Sequence, residues 1–228
     1  MPAETETGDR TTLAQERFDA GRVIPLWVKI AVTVWVAAWF PIYGVYYGWA
    51  NFIHLSDIAI ALTAIGLWTS SRLLISSQAV SVLLGETLWI VDVLWTVGFG
   101  HHLIGGTGYM WDREYPLWLR LMSLYHFVLP VLLFWAVARL GYDRRALKLQ
   151  TGIGAAALVA GRLWGRKDNI NFAFRDPLFH WGWGPAPAHL AVMFGGMILF
   201  VYLPTHWLLS SLFAGRARDD YPPSSRSS

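Results

Sequence analysis

The sequence predicts an all-α, polytopic membrane protein: a six-helix transmembrane bundle with both termini in the cytoplasm. Three observations carry that expectation. Only 14% of the 228 residues are charged and 55% are hydrophobic, whereas a soluble domain is charged at roughly a quarter of its positions. The apolar residues come in runs long enough for a hydrocarbon core about 30 Å thick, which needs roughly 20 helical residues. Lys and Arg are unequally divided between the loops on the two sides. The absence of Cys excludes disulfides, Cys-ligated metal clusters and a thiol nucleophile. The net charge of +3 is spread between apolar runs rather than clustered with stacking aromatics, so no nucleic-acid partner is expected.

The elements follow in chain order. Residues 1–22 mix Glu4, Glu6, Asp9, Glu16 and Asp19 with Arg10, Arg17 and Arg22; without a small-residue cleavage signal they read as a polar lead, not a signal peptide. Within a transmembrane domain over 23–213, helices are expected at 24–47, 52–69, 75–97, 117–140, 147–163 and 189–212. The fifth is short and rich in Gly and Ala. From 214 to 228 the chain turns polar, with Asp219, Asp220, Pro222, Pro223 and terminal serines, the composition of a disordered tail. No internal repeat is visible, which argues against an inverted-repeat transporter. With both termini inside, 12 of the 18 Lys and Arg fall on the cytoplasmic side. The two long loops, 98–116 and 164–188, then face outward. Trp49, Trp111, Trp118, Trp181 and Trp183 would sit at the outer interface and Trp27, Trp68 and Trp207 at the inner one, as a membrane belt requires.

Ionisable residues inside these helices carry the functional signal, because each costs roughly 2.5–3.5 kcal/mol at mid-bilayer unless it faces the bundle interior or a wet cavity. Helix 2 has His54 and Asp57, helix 3 has Glu86 and Asp92, helix 4 has Arg120 and His126, and helix 6 has His189 and His206. At about 1.5 Å per residue from the outer ends, Asp57 and Asp92 lie about 8 Å deep, His126 about 14 Å and Glu86 about 17 Å. His54 and Asp57, three apart, are expected on one helix face, as are Ser123 and His126. Asp57 or Asp92 is expected to pair with Arg120 or His126. Glu86 and Asp92 are rotated by about 240° and should point to different neighbours. Pro130 should bend helix 4, since it frees a backbone carbonyl. The loop at 98–116 holds five glycines at 98, 100, 105, 106 and 108 and can move. His101 and His102 are adjacent and diverge in direction, and the repeated histidine boxes of membrane di-iron enzymes are missing, so neither a metal nor a cofactor is expected. Asn169 and Asn171 suit a short turn capping the bundle.

Several strings carry a resemblance: HLSDIAI at 54–60, LWIVDVL at 88–94, GYMWDREYPL at 108–117, SLYHFVLP at 123–130, ARLGYDRRA at 138–146, DNINF at 168–172 and YLPTH at 202–206. They resemble a family of bacterial six-helix membrane proteins whose usual label, membrane-associated protein, implies no activity. More distantly, helices 2 to 4 are similar to the androgen-induced-type intramembrane hydrolases and the related transmembrane acyltransferases. The shared pattern is a polar position with a nearby Asp early in one helix, then a later helix with a His close before Val-Leu-Pro. Here that gives Asp57 and His126, and the DREYP run ahead of helix 4 also looks like those hydrolases. Where the hydrolases have a nucleophilic Thr three residues before the Asp, this chain has His54; where the acyltransferases have a Cys just before the polar position, it has Ser56.

The resemblance implies a lipid-acyl hydrolase or acyltransferase in the bacterial inner membrane, with membrane lipid as its partner and its site in the outer-leaflet half. Ser56 is then the candidate nucleophile, His126 its base in a dry site, and Asp57 the group that orients the histidine. A competing reading is a non-catalytic membrane protein that binds a lipid or apolar cofactor or supports assembly of a protein partner, its polar residues only holding helices together. A proton-coupled transporter using Glu86 ranks below both, for want of a repeat or discontinuous helices.

Overall fold

Each apolar run becomes helical, and there is no strand among the residues that the computed structural model describes, 24–213. The polar lead and the tail expected at 1–22 and 214–228 lie outside the described residues. Helix α1 is Leu26–Tyr46, α2 Leu55–Trp68 and α3 Arg72–Phe99. The fourth run splits into α4, Leu117–Met122, and α5, Tyr125–Leu140. The fifth is α6, Ala146–Trp164, and the sixth runs from α7, Ala186–Met197, through a π-turn at Ile198–Tyr202 into α8, Leu203–Phe213.

Local chemistry sets these boundaries. Ser71 accepts the Leu74 N–H to start α3, and Gly100 ends it in the left-handed region at φ 76°, where glycine carries no Cβ penalty. Pro185 precedes α7 with Pro187 in its first turn, positions where a missing N–H costs nothing. Pro204 explains the π-turn: its ring has no N–H and crowds the carbonyl four residues back, so the preceding turn widens. Pro130 stays inside α5, and the interruption falls instead at Ser123 and Leu124, where His126 N bonds Ser123 O and Phe127 N bonds Leu124 O in tighter three-residue steps. The fourth run is thus interrupted about two turns ahead of Pro130.

Helix α3 is the central element and packs against α2, α5, α6 and α8. Side-chain bonds tie the helices together at two ends. At one, here called basal, Trp68 Nε1 donates to Thr33, Asp143 N donates to Ser76 Oγ, and Tyr142 OH meets His206 Nδ1. At the other, the apical end, Leu55 N donates to Asn171 Oδ1 and the Tyr46 and Trp118 rings touch. Between them Gln150 joins Ser81 and Tyr202 across α6, α3 and the π-turn.

Four of the helical runs, Leu26–Tyr46, Arg72–Phe99, Leu117–Leu140 and Ala186–Phe213, are long and apolar enough to cross a membrane. Their outward faces are apolar: Val34, Val45, Val131 and Phe200 are all more than 60% exposed, a surface that suits lipid rather than water. All eight tryptophans assigned to the two interfaces are exposed, whereas Trp39 is fully buried in the core.

Candidate functional site

The break between α4 and α5 turns Ser123, Tyr125 and His126 inward, toward α1, α2 and α3. His126 Nδ1 lies 2.5 Å from Glu86 Oε2, and both side chains are at least nine-tenths buried. The imidazole stacks with two aromatic rings, Trp89 at 4.5 Å and Tyr125 at 4.2 Å between centroids. In the neutral imidazole tautomer that donates Nδ1–H to this carboxylate, Nε2 carries the lone pair.

Asp57 lies beside this pair and has partners of its own. Tyr125 OH donates to Oδ1 at 2.7 Å and Asn51 Nδ2 to Oδ2 at 2.6 Å. The expected pairing of Asp57 or Asp92 with Arg120 or His126 is not made: Glu86 takes His126, and Arg120 donates to the Met110 carbonyl at 2.8 Å. Nor does His54 pair with Asp57. Helix α2 starts only at Leu55, and His54 stands before it with extended backbone at φ −56° and ψ 137°, outside the helical period that would have aligned the two. His54 remains within electrostatic reach of His126. Ser56 is half-buried on the first turn of α2, and no hydrogen bond joins it to His126 among the described residues.

A second layer closes the cluster apically. Tyr43 OH and Ser123 Oγ are 2.7 Å apart. Tyr109, from the glycine-containing loop, lies against Ser123 and Trp89, and burial pushes its phenol far above the usual range, so it stays neutral. That loop is pinned by Asp92, as the rotation between Glu86 and Asp92 requires. Asp92 Oδ1 accepts the N–H groups of Leu103, Ile104 and Gly105, and Oδ2 the Thr107 hydroxyl. His101 and His102 diverge: the first contacts Trp95 and the Phe99 carbonyl, the second Thr96 and Thr107. No group of three or more metal-ligating side chains occurs among the described residues.

The 164–188 loop supplies the cap that its asparagines suggested. Asn171, at φ 52°, accepts Leu55 N and donates to the Ile53 and Ala157 carbonyls. It thereby satisfies a helix-start N–H of α2 from 116 residues away and fixes the turn that carries His54, Ser56 and Asp57.

Sequence reasoning missed Tyr125 and Asn51. Both are ordinary residues in apolar context, and only the α4–α5 break and the short 3-10 turn at Trp49–Ile53 aim them at Asp57. Comparison with family models, with curated proteins and with solved structures gave no match.

Proposed function

We propose that this chain is an integral membrane enzyme acting on lipid acyl esters, a hydrolase or acyltransferase, with His126 as general base and Glu86 as the group that orients it. The supporting observation is the 2.5 Å contact between His126 Nδ1 and Glu86 Oε2 inside the bundle. A carboxylate on Nδ1 fixes the tautomer in which Nε2 can take a proton, the service a buried acid performs beside a catalytic histidine. Glu86 here fills the role that the resemblance gave to Asp57, which instead holds Tyr125 and Asn51.

Ser56 is the nucleophile in this reading, and its hydrogen bond to His126 forms when substrate binds; such bonds are often long in free enzymes. Its Oγ attacks the ester carbonyl carbon as its proton passes to His126 Nε2. The bond from that carbon to the lipid alcohol oxygen breaks, and the alcohol leaves with the proton. Water, or a second alcohol, then attacks the acyl-serine; His126 takes its proton and returns it to Ser56 Oγ, releasing a fatty acid or a new ester. His54 flanks this space. The six-crossing topology, cytoplasmic termini, inner-membrane location and outer-leaflet placement of the site belong to the same proposal and rest on the Lys and Arg asymmetry.

A second reading has one observation in its favour. Both Asp57 oxygens are already engaged, as they would be in a non-catalytic bundle that binds a lipid or apolar cofactor or assists a protein partner.

Labelling of the purified full chain by an alkyl fluorophosphonate, with thermal unfolding measured in parallel, separates the two. The enzymatic reading expects wild-type labelling, none in Ser56→Ala or His126→Ala, and a loss on the order of 10²-fold in Glu86→Gln, with the unfolding midpoint of Ser56→Ala near that of wild type. Wild-type labelling rates in Ser56→Ala or His126→Ala would overturn it. An unlabelled wild type whose Asp57→Asn and His126→Ala variants lose stability favours the second reading.

A further inference from the structure

The basal end of the bundle holds a polar site that acyl-ester chemistry does not use. Lys29, Arg72, Arg139, Arg144, Arg145 and Lys148 gather there against one acid among the described residues, Asp143. Asp143 is committed to Arg145 through a 2.8 Å ion pair, and that guanidinium holds its carboxyl below the usual range. A cavity of about 390 Å³ opens between this turn and α8, lined by Arg144, His206, Trp207, Ser210 and Ser211. The four α8 residues, spaced one and four apart, share a face.

The Ser211 hydroxyl is committed to the Leu208 carbonyl at 2.8 Å, and the other polar groups of this cavity have hydrogens to offer. No carboxylate of the described residues lies within ion-pair distance of Arg144. Ser210 Oγ is buried and has no hydrogen-bond partner among the described residues, an arrangement that costs free energy unless an acceptor arrives. His206 Nδ1 is 2.7 Å from Tyr142 OH; with the phenol donating, Nε2–H is left to donate. Helix α6 begins at Ala146, two residues past Arg144, and brings the positive end of its dipole to the same place. A guanidinium, an imidazole N–H and one hydroxyl without an acceptor, that of Ser210, match a tetrahedral oxyanion. One wall is apolar and open to the surroundings: Trp207 is 65% exposed. The ligand therefore carries a hydrocarbon part beside its charge.

We propose that this cavity binds the phosphate group of an anionic phospholipid, with Arg144 paired to phosphate oxygens, Ser210 and His206 donating to them, and an acyl chain lying over Trp207. The site is separate from the Glu86–His126 pair and does not depend on the enzymatic reading.

The test titrates the full chain in neutral detergent with dihexanoyl phosphatidylglycerol, with dihexanoyl phosphatidylcholine and with inorganic phosphate, following the unfolding midpoint. Phosphatidylglycerol should raise the midpoint saturably, as a ligand of the folded state does, and phosphatidylcholine at equal concentration should not. Apparent binding should weaken by about tenfold or more in Arg144→Gln and in Ser210→Ala. Arg144 is exposed, so its lipid-free midpoint should match wild type, as should its fluorophosphonate labelling. A phosphatidylglycerol response that fails to saturate, or that is unchanged in Arg144→Gln, overturns the site. A saturable response to inorganic phosphate as strong as that to phosphatidylglycerol overturns the lipid assignment and leaves free phosphate as the ligand.

Discussion

A carboxylate removed from water persists only where donors are supplied, and each buried acid here finds them differently. Glu86 uses an imidazole, Asp57 a phenol and an amide, Asp92 a row of backbone N–H groups. Asp176, in the loop ahead of α7, uses the N–H groups of Leu178, Phe179 and Trp181 and the Trp183 indole. Burial alone would raise its pKa, but these four donors outweigh it and hold the carboxyl below the usual range. A depressed folded-state pKa adds stability above the unfolded value, about 3.9, that is lost as pH falls through the folded value. Hydrogen exchange at residues 178–183 should therefore be slow and level from pH 7 to 5 after correction for intrinsic rates, and protection should collapse below about pH 4. Asp176→Asn should remove that pH dependence; an unchanged profile would assign it to another group. At this scale the sequence was legible in part. The rule that intramembrane polar residues need partners picked out Asp57, Glu86 and His126 correctly as buried. Their pairing was not legible, because the rotation of His126 is set by a helix break that no residue at 123 or 124 announces.

The helices were the most legible level, since hydrocarbon thickness dictates run length and Gly and Pro mark the ends. All six runs appear within a few residues of where hydropathy places them. What hydropathy cannot supply is how closely the elements approach. In α6, a Cβ at Gly161 would meet the Ile170 carbonyl oxygen at 2.7 Å, whereas one at Gly152 would meet nothing within 4 Å. Gly161→Ala should thus destabilise by about 1–3 kcal/mol through overpacking against backbone, and Gly152→Ala should stabilise by about 0.5–1 kcal/mol through lower backbone entropy in the unfolded chain. Unfolding midpoints of the two variants should move in opposite directions. Equal shifts would show that the 165–173 turn does not pack against α6 as described, and with it the Asn171 cap on α2.

At the scale of the whole molecule, the side-chain bonds at each end place the starts of α1, α3 and α6 together and the start of α2 opposite them, so that the chain alternates between two ends. Four runs are long and apolar enough to cross a membrane, and the six-crossing topology proposed above would put the basal charges on the cytoplasmic side. The natural absence of Cys makes single cysteines unambiguous reporters. Gly106→Cys and Lys167→Cys should react with an impermeant maleimide on intact cells, and Lys148→Cys only after lysis; the reverse pattern would invert the topology and move the His126 cluster toward the cytoplasm. The two polar sites would then exchange leaflets while their internal geometry stayed the same. The central claim concerns chemistry rather than placement, and fatty-acid release from a phospholipid ester by the purified full chain tests it most directly. The Glu86–His126 pair predicts turnover that falls by about 10²–10⁴-fold in His126→Ala, measured on the fraction that remains folded, and turnover at the wild-type rate in that variant would contradict it.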